Sequence, residues 1–324
     1  MKVAIIGAGM SGLACAAVLA EHGLEPHLFD KSRGVGGRMA TRRIETTLGT
    51  ATFDHGAQFL VAHDAAFQDE LRRWRLAGAA APWPAAGGDA WVGVPATNSI
   101  PKHMADGFAI SFETHVHSLA RRPSGWFLQS VGRIAGPYDA VVIALPAEQA
   151  AALLGMHCLS MARVAVETPS TPCWTLMCAF AEPLPGPSIL QDRGIIAWAA
   201  RNNSKAGRDG PDAWTVHATA DWSSQHLEED KQAVAATLLD HFTRIIGTRC
   251  PDPLVHTAHR WRFALASTSG RGALWDAALA LGACGDWLVA PTIEGAWLSG
   301  RQLAREIIEG HDLGRVGTAQ RRTG

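Results

Sequence analysis

The feature that most constrains this chain is Gly7-x-Gly9-x-x-Gly12, set between the apolar run Val3-Ala4-Ile5-Ile6 and an alanine-rich stretch through Ala20. Such a short apolar run reads as a buried parallel strand, and the stretch after it as a helix that stops at Gly23, a suitable C′ residue. Pro26 to Phe29 returns as a second strand, closed by Asp30. This strand–turn–helix–strand unit is the start of a doubly wound sheet. In it Gly7 permits the tight turn, Gly9 lets the backbone approach a pyrophosphate, and Gly12 allows close packing of helix on strand. The helix N-terminus, with Ser11 in its first turn, offers N–H groups and partial positive charge to phosphates. Asp30 stands where an acid accepts from a ribose hydroxyl.

The segment after Asp30 decides the length of the cofactor. Lys31 and Arg33 lead into a second glycine-rich loop, Arg33-Gly34-Val35-Gly36-Gly37-Arg38, and then Met39. A mononucleotide-binding turn does not need this loop. A cofactor that passes its pyrophosphate and ribityl chain along the protein needs close backbone approach twice, and a cation such as Arg38. Asp54-x-Gly56-Ala57-Gln58-Phe59 then offers small residues where a flat ring can lie. Near the other end, an apolar strand over Leu279–Cys284 runs into Gly285-Asp286, an acid placed for a ribityl hydroxyl. Glu294-Gly295-Ala296 opens a helix there. A helix N-terminus at the N1/C2=O edge of a flavin stabilises the negative charge of the reduced ring. These segments together point to FAD.

At 324 residues the chain suits two globular units, and its 47% hydrophobic and 18% charged residues leave little room for disorder. A formal net charge of −1 gathers neither nucleic acid nor an anionic membrane, so neither is expected as a partner. The six cysteines show no metal or redox spacing and read as scattered thiols of a reducing compartment. Glycines interrupt the apolar start and its positive region is the single Lys2, which argues against a secretory leader; a cytoplasmic protein is expected.

Period-two patterning predicts strands over Ser111–Leu119, Trp126–Ser130 and Ala140–Leu145, with Gly136-Pro137 as a separating turn. A mostly antiparallel sheet is expected from Thr171–Phe180, Ile195–Ala200, Trp214–Thr219 and Val255–Phe263, and one long helix from Gln225–Ile246. The expected division puts 1–58, 99–150 and 277–312 in a discontinuous FAD domain. Residues 59–98 and 151–276 fall in a substrate domain, and 313–324 in a frayed tail.

The motifs above resemble the renalase family of the bacterial type, as do Trp198-x-Ala200-Arg201-Asn202-x-Ser204-Lys205, His217-Ala218-Thr219-x-x-Trp222-Ser223 and His259-Arg260-Trp261. The likeness covers nearly the full length. Its outer motifs are shared by many flavin amine oxidases and desaturases, and its inner three are more specific. Pro95-Ala96-Thr97 and Val61-Ala62-His63 depart from the family pattern, away from the FAD motifs. The resemblance implies an α/β flavoprotein of the p-hydroxybenzoate-hydroxylase type, a Rossmann-type FAD domain joined to an antiparallel-sheet domain. It also implies an oxidase of misplaced-hydride isomers of NADH and NADPH, with the hydride on carbon 2 or 6 of the nicotinamide. NAD(P)+ and hydrogen peroxide would be the products and O2 the partner. No cysteine stands in a family position for a thioether to the flavin, so FAD is expected to be non-covalent.

A dinucleotide substrate brings a pyrophosphate, and Arg201, Lys205 and Arg208 share one polar loop that reads as a cationic pocket mouth, with Asn202 for the carboxamide. His217, His259 and Trp261 are further substrate candidates, although isolated histidines in apolar strands are more often core residues. An oxidase of small amines and a non-catalytic flavoprotein remain open alternatives.

Overall fold

The computed structural model describes residues 1–247 and 250–320, the last eight of these by backbone alone. The chain forms two units. The first comprises Met1–Gly37, Met104–Pro169 and Ala266–Gly324. Its sheet runs in the order Leu274–Asp276, Leu281–Ala283, Ala140–Ile143, Lys2–Ile6, Glu25–Phe29, Ala109–Ser111. All neighbours pair in parallel except the antiparallel edge strand Leu274–Asp276. The chain leaves the central strand Lys2–Ile6 on one side and comes back on the other. A crevice at the carboxyl ends of the strands is the usual ligand position of such a sheet.

Val3 to Ile6 are all buried without alternation, because both faces of the sheet are covered. Val3 and Ile5 pack with Leu13 and Ala16 of the helix Met10–Glu21 and with Leu303 and Ile307 of the helix Ile293–Gln320. Ala4 and Ile6 face the opposite layer, with Trp126, Leu128, Leu153, Leu154 and Met161. The two helices nearly touch: a Cβ on Gly300 would lie 2.1 Å from the Ser11 carbonyl oxygen.

The second unit comprises Arg38–His103 and Ser170–Leu265. A five-stranded sheet in the order Ile189–Arg193, Ile196–Arg201, Asp212–Ala218, Ser170–Phe180, Val255–Ala266 forms its frame. On it sits the hairpin of Thr41–Thr46 and Gly49–Asp54, which buries Ala51 and Phe53 against Met177, Ala179 and Ala213.

The structure corrects several expectations. Ser111–Leu119 is not one strand: Ala109–Ser111 ends in the parallel sheet, and Ser118–Arg122 begins a separate three-stranded sheet. Gly136-Pro137 is not the end of a strand but lies inside Arg133–Tyr138, where the pairing register shifts in a bulge. The expected long helix breaks at Asp230. That residue caps the helix Lys231–Ile246 by accepting from Gln232 N and Ala233 N, so the preceding turn forms the short helix Ala220–Gln225. The unit borders also move. Residues 38–58 join the second unit through the hairpin, and 151–169, with the end of the helix Ala147–Leu154 and the helix Leu159–Val166, join the first through its core. The expected frayed tail is helical up to Gln320, and 321–324 lie outside the described residues. Among the described residues no helix is long and apolar enough to cross a membrane.

Candidate functional site

The first unit's contribution is shaped by side chains left out. Gly7 has φ +110°, and a Cβ there would sit 2.3 Å from the Ala144 carbonyl oxygen. A Cβ on Gly12 would sit 2.0 Å from the Gly7 oxygen, whereas one on Gly9 would meet no heavy atom within 4 Å. Space is therefore open over the residue where a pyrophosphate would approach. Gly9 is the N-cap of Met10–Glu21, no side chain caps that end, and its first turn holds no acid. The N–H groups of this helix end are left to donate to an external, negatively charged acceptor.

Asp30 is held on both oxygens: Oδ2 accepts from Ala8 N and Oδ1 from Ser32 N, each at 2.8 Å. Each oxygen keeps a further lone pair for a ribose hydroxyl. The second glycine loop folds back onto the first. Gly36 N donates to the Ala8 oxygen at 2.9 Å, and a Cβ on Gly37 (φ +53°) would lie 3.8 Å from Gly9 Cα. Lys31 and Arg33 stand exposed beside it.

At the other end of the chain, Gly285 N donates to Ser299 Oγ at 3.0 Å, and that hydroxyl donates to the Gly272 oxygen at 2.6 Å. Asp286 follows and is 5% exposed. Glu294 occupies the first turn of Ile293–Gln320. A Cβ on Gly295 would lie 2.2 Å from the Ala290 oxygen, so only glycine fits beside Ala296 at this helix start. A double glycine cradle, an uncapped helix end and an acid with spare lone pairs are what the phosphates and ribose of FAD require.

Arg38, Met39 and Gly56–Gln58 belong to the second unit. Ala57 N donates to the Arg38 oxygen at 2.8 Å, and a Cβ on Gly56 would lie 2.0 Å from that same oxygen. The two segments are thus joined through backbone. Met39 is buried, and Arg38 Nη1 donates to the Ala264 oxygen.

Behind this turn lies a buried charge network that sequence reading did not foresee. Asp54 is fully buried. Its Oδ2 meets Arg208 Nη2 at 2.6 Å and Lys205 Nζ at 3.3 Å, and its Oδ1 accepts from Thr41 Oγ1 and Thr97 N. Burial, the largest single influence, opposes the carboxylate, but the two cations with the hydrogen bonds from Thr97 and Thr41 outweigh it and hold Asp54 well below the usual carboxylate range. Lys205 also donates to Gln58 Oε1 at 3.1 Å and lies over the Trp83 ring at 4.9 Å; burial lowers its pKa to about 8. Gln58 Nε2 donates to the Asp54 and Gly56 carbonyl oxygens and lies 3.5 Å from His217 Nε2.

An aromatic group adjoins the turn. His55 stacks on Trp261 with ring centres 5.2 Å apart, and His259 stands edge-on to both at 5.0 and 4.4 Å. Trp261 Nε1 donates to the His55 oxygen at 2.9 Å. Burial lowers all three imidazoles, His55 to about 3 and His217 and His259 to about 4, so they are neutral at pH 7.

The expected cationic mouth is therefore corrected. Lys205 and Arg208 are enclosed on Asp54, and Arg201 Nε pairs with Asp212 at 3.0 Å while its Nη2 bonds the Leu184 oxygen. Asn202 is fully buried. It accepts from Asp54 N and donates to Thr215 Oγ1, and so braces the hairpin. Nor is the departure at Pro95-Ala96-Thr97 remote from the motifs, since Thr97 binds both Asp54 and Arg208. His55 escaped notice because it is the unnamed residue in Asp54-x-Gly56. Among the described residues no cluster of three or more His, Cys, Asp or Glu could hold a metal ion.

Known proteins are similar to this chain in sequence and in fold. Residues 5–76 match the NAD(P)-binding Rossmann-like domain, and residues 85–308 match the flavin containing amine oxidoreductase family. A segment of 64 residues is 42% identical to a 4,4'-diapophytoene desaturase (4,4'-diaponeurosporene-forming) of Staphylococcus aureus strain Newman. It spans 20% of this chain but 12% of that enzyme's length. The fold resembles a putative protoporphyrinogen oxidase from Exiguobacterium sp. 255-15, with TM-score 0.74, 12% identity, and 94% of this chain and 98% of that one covered. It also resembles cyclohexylamine oxidase from Brevibacterium oxydans IH-35A (TM-score 0.69, 14% identity, 97% and 99% covered). A putrescine oxidase bound to putrescine is similar too (TM-score 0.66, 14% identity, 95% and 99% covered).

Proposed function

Because this chain belongs to the flavin containing amine oxidoreductase family and is an FAD-dependent oxidoreductase, we propose that it oxidises misplaced-hydride isomers of NADH and NADPH. Within that family the reading makes it a renalase-type enzyme of the p-hydroxybenzoate-hydroxylase fold class, with FAD held non-covalently. Bound FAD would supply the hydride acceptor, and O2 with one proton from solvent would take up the electron pair, giving NAD(P)+ and hydrogen peroxide.

The observation that carries this reading is the state of the imidazoles around Gly56–Gln58. Oxidising a dihydropyridine removes a hydride alone, because its nitrogen is already substituted and the product is an aromatic cation. No base is needed. An alkylammonium, with a pKa near that of Lys at about 10.4, must first lose a proton. His217 and His259, whose conjugate acids lie near 4, are far too weak to take it, and Lys205 is enclosed on Asp54 and Gln58. On this reading they, with Trp261, bind and orient a ring.

Oxidation of small amines is the second reading. Phe59, Trp83 and Trp198, with ring centres 5.7 to 6.1 Å apart, form an aromatic group of the kind that attracts cations. The Trp83 face, however, is already engaged by Lys205. Anaerobic mixing of the purified protein with each dihydronicotinamide isomer and with simple amines separates the readings. Bleaching of the flavin by the isomers is expected; bleaching by amines alone would overturn the proposal.

A further inference from the structure

Asp54 and Arg208 would form a neutral buried pair on their own, since their contact of 2.6 Å is close and Arg208 has further acceptors in the Gly93 and Ala206 oxygens. Lys205 is added to that pair with a fully buried side chain, 3.3 Å from the same carboxylate oxygen. The groups facing it are Asp54, Arg208, Gln58, His217 and the Trp83 ring. One negative charge meets two positive ones, and the neutral imidazole of His217 adds none. Enclosing an extra cation is costly, and a well-packed apolar side chain serves stability as well or better. Stability alone does not account for a lysine here.

What the lysine does locally is visible in its bonds. By donating to Gln58 Oε1 it fixes which end of that amide faces the charge, so that Nε2 is turned toward the Asp54 and Gly56 carbonyl oxygens. The turn carrying Gly56-Ala57 is thereby tied to a site of surplus positive charge. Hydride transfer to bound FAD adds negative charge to the flavin, and a nearby fixed positive charge in a low-dielectric interior favours that state.

We propose that Lys205 is a positioning residue for the flavin-bearing turn, holding Gln58 and leaving the Asp54–Arg208 pair with one surplus positive charge that favours reduced over oxidised FAD. This rests on Gly56–Gln58 as the segment beside the flavin ring. It does not depend on which substrate delivers the hydride.

The test is the midpoint potential of the FAD-loaded protein, equilibrated with a reference dye, for wild type, Lys205→Met and Lys205→Arg across pH 6 to 9. Lys205→Met is expected to keep FAD and to lose about tenfold in preference for the reduced form, a fall of about 30 mV for a two-electron couple. Lys205→Arg should restore it. In wild type the dependence of potential on pH should steepen above about pH 8, where oxidised protein gives up the lysine proton and reduction takes it back. In Lys205→Met the steepening should vanish. A folded Lys205→Met protein with the wild-type potential would overturn the proposal, and so would one that no longer holds FAD. If that variant does not fold, the wild-type plot, carried on to pH 10, decides: a line with no break anywhere above pH 7 overturns it. The dye supplies the electrons, so failure of the substrate reading would leave this result unchanged.

Discussion

The two units are built on opposite devices. In the first, function rests on side chains that are missing: Gly7, Gly12, Gly295 and Gly300 each stand where a Cβ would lie within 2.3 Å of a carbonyl oxygen. In the second, it rests on side chains that are present where they are hardest to keep, with Asp54, Lys205 and Arg208 enclosed together. The difference teaches where fragility lies. A glycine cradle exposes backbone to the ligand, so its central position can change without disturbing the fold. A buried charge cluster couples the fold to the one carboxylate that balances its cations.

Stability measurements on the FAD-free protein can break that contrast. The largest effect is expected for Asp54→Asn, which strands Lys205 and Arg208 without a counter-charge. Removing one partner of a buried pair costs about 3–5 kcal/mol, to be read from urea unfolding. Gly12→Ala comes next: its Cβ would press on the Gly7 oxygen, and overpacking of this kind costs about 1–3 kcal/mol.

Acid gives a graded effect in the second unit. The folded-state pKa values of His55 and His217 lie below the ordinary 6.5, so the unfolded chain binds their protons first. Stability is therefore full above about pH 6.5 and falls as the pH drops toward 4, by up to about 1.4 kcal/mol per pH unit for each histidine. His55→Gln should remove one proton from that slope, and an unchanged slope would mean that the ring is solvated. Asp54 acts in the same direction lower down. Its depressed pKa adds stability above the ordinary carboxylate range, and that is lost as pH falls below it.

The smallest effect on the fold should be that of Gly9→Val, within about 0.5 kcal/mol, because its side chain projects into open space. The same variant should bind no FAD, since the pyrophosphate needs that space. A Gly9→Val protein that stays yellow would remove the basis of the cradle. A large loss of stability would erase the contrast between the units.

The contrast also explains what could be read in the sequence. The Gly7–Gly12 turn, Asp30 and the Gly36-Gly37 loop are local patterns whose spacing carries their geometry, and they formed as expected. So did the parallel sheet and the antiparallel frame. Asp54, Lys205 and Arg208 meet across more than 150 positions of sequence. No periodicity reports a pairing at that separation, and Arg201, Lys205 and Arg208 on one polar loop read naturally as a pocket mouth. Thr97 and His55 were hidden for the same reason: the partners that give them meaning lie on other elements. One misread strand, Arg133–Tyr138, traces to a bulge, where Gly136-Pro137 continues a strand that turn chemistry would end.

The most direct test of the proposed chemistry is the rate of anaerobic flavin reduction by a carbon-2 or carbon-6 dihydronicotinamide dinucleotide as a function of pH. With only a hydride to move and the site's histidines neutral, the rate should be flat from pH 6 to 7.5. It should fall, not climb, as Lys205 loses its proton above about pH 8. A rate that climbs about tenfold per pH unit with an amine, as expected if an ammonium of pKa about 10.4 must first lose its proton, while the nicotinamide isomers leave the flavin yellow, would contradict that chemistry and leave an amine oxidase in its place.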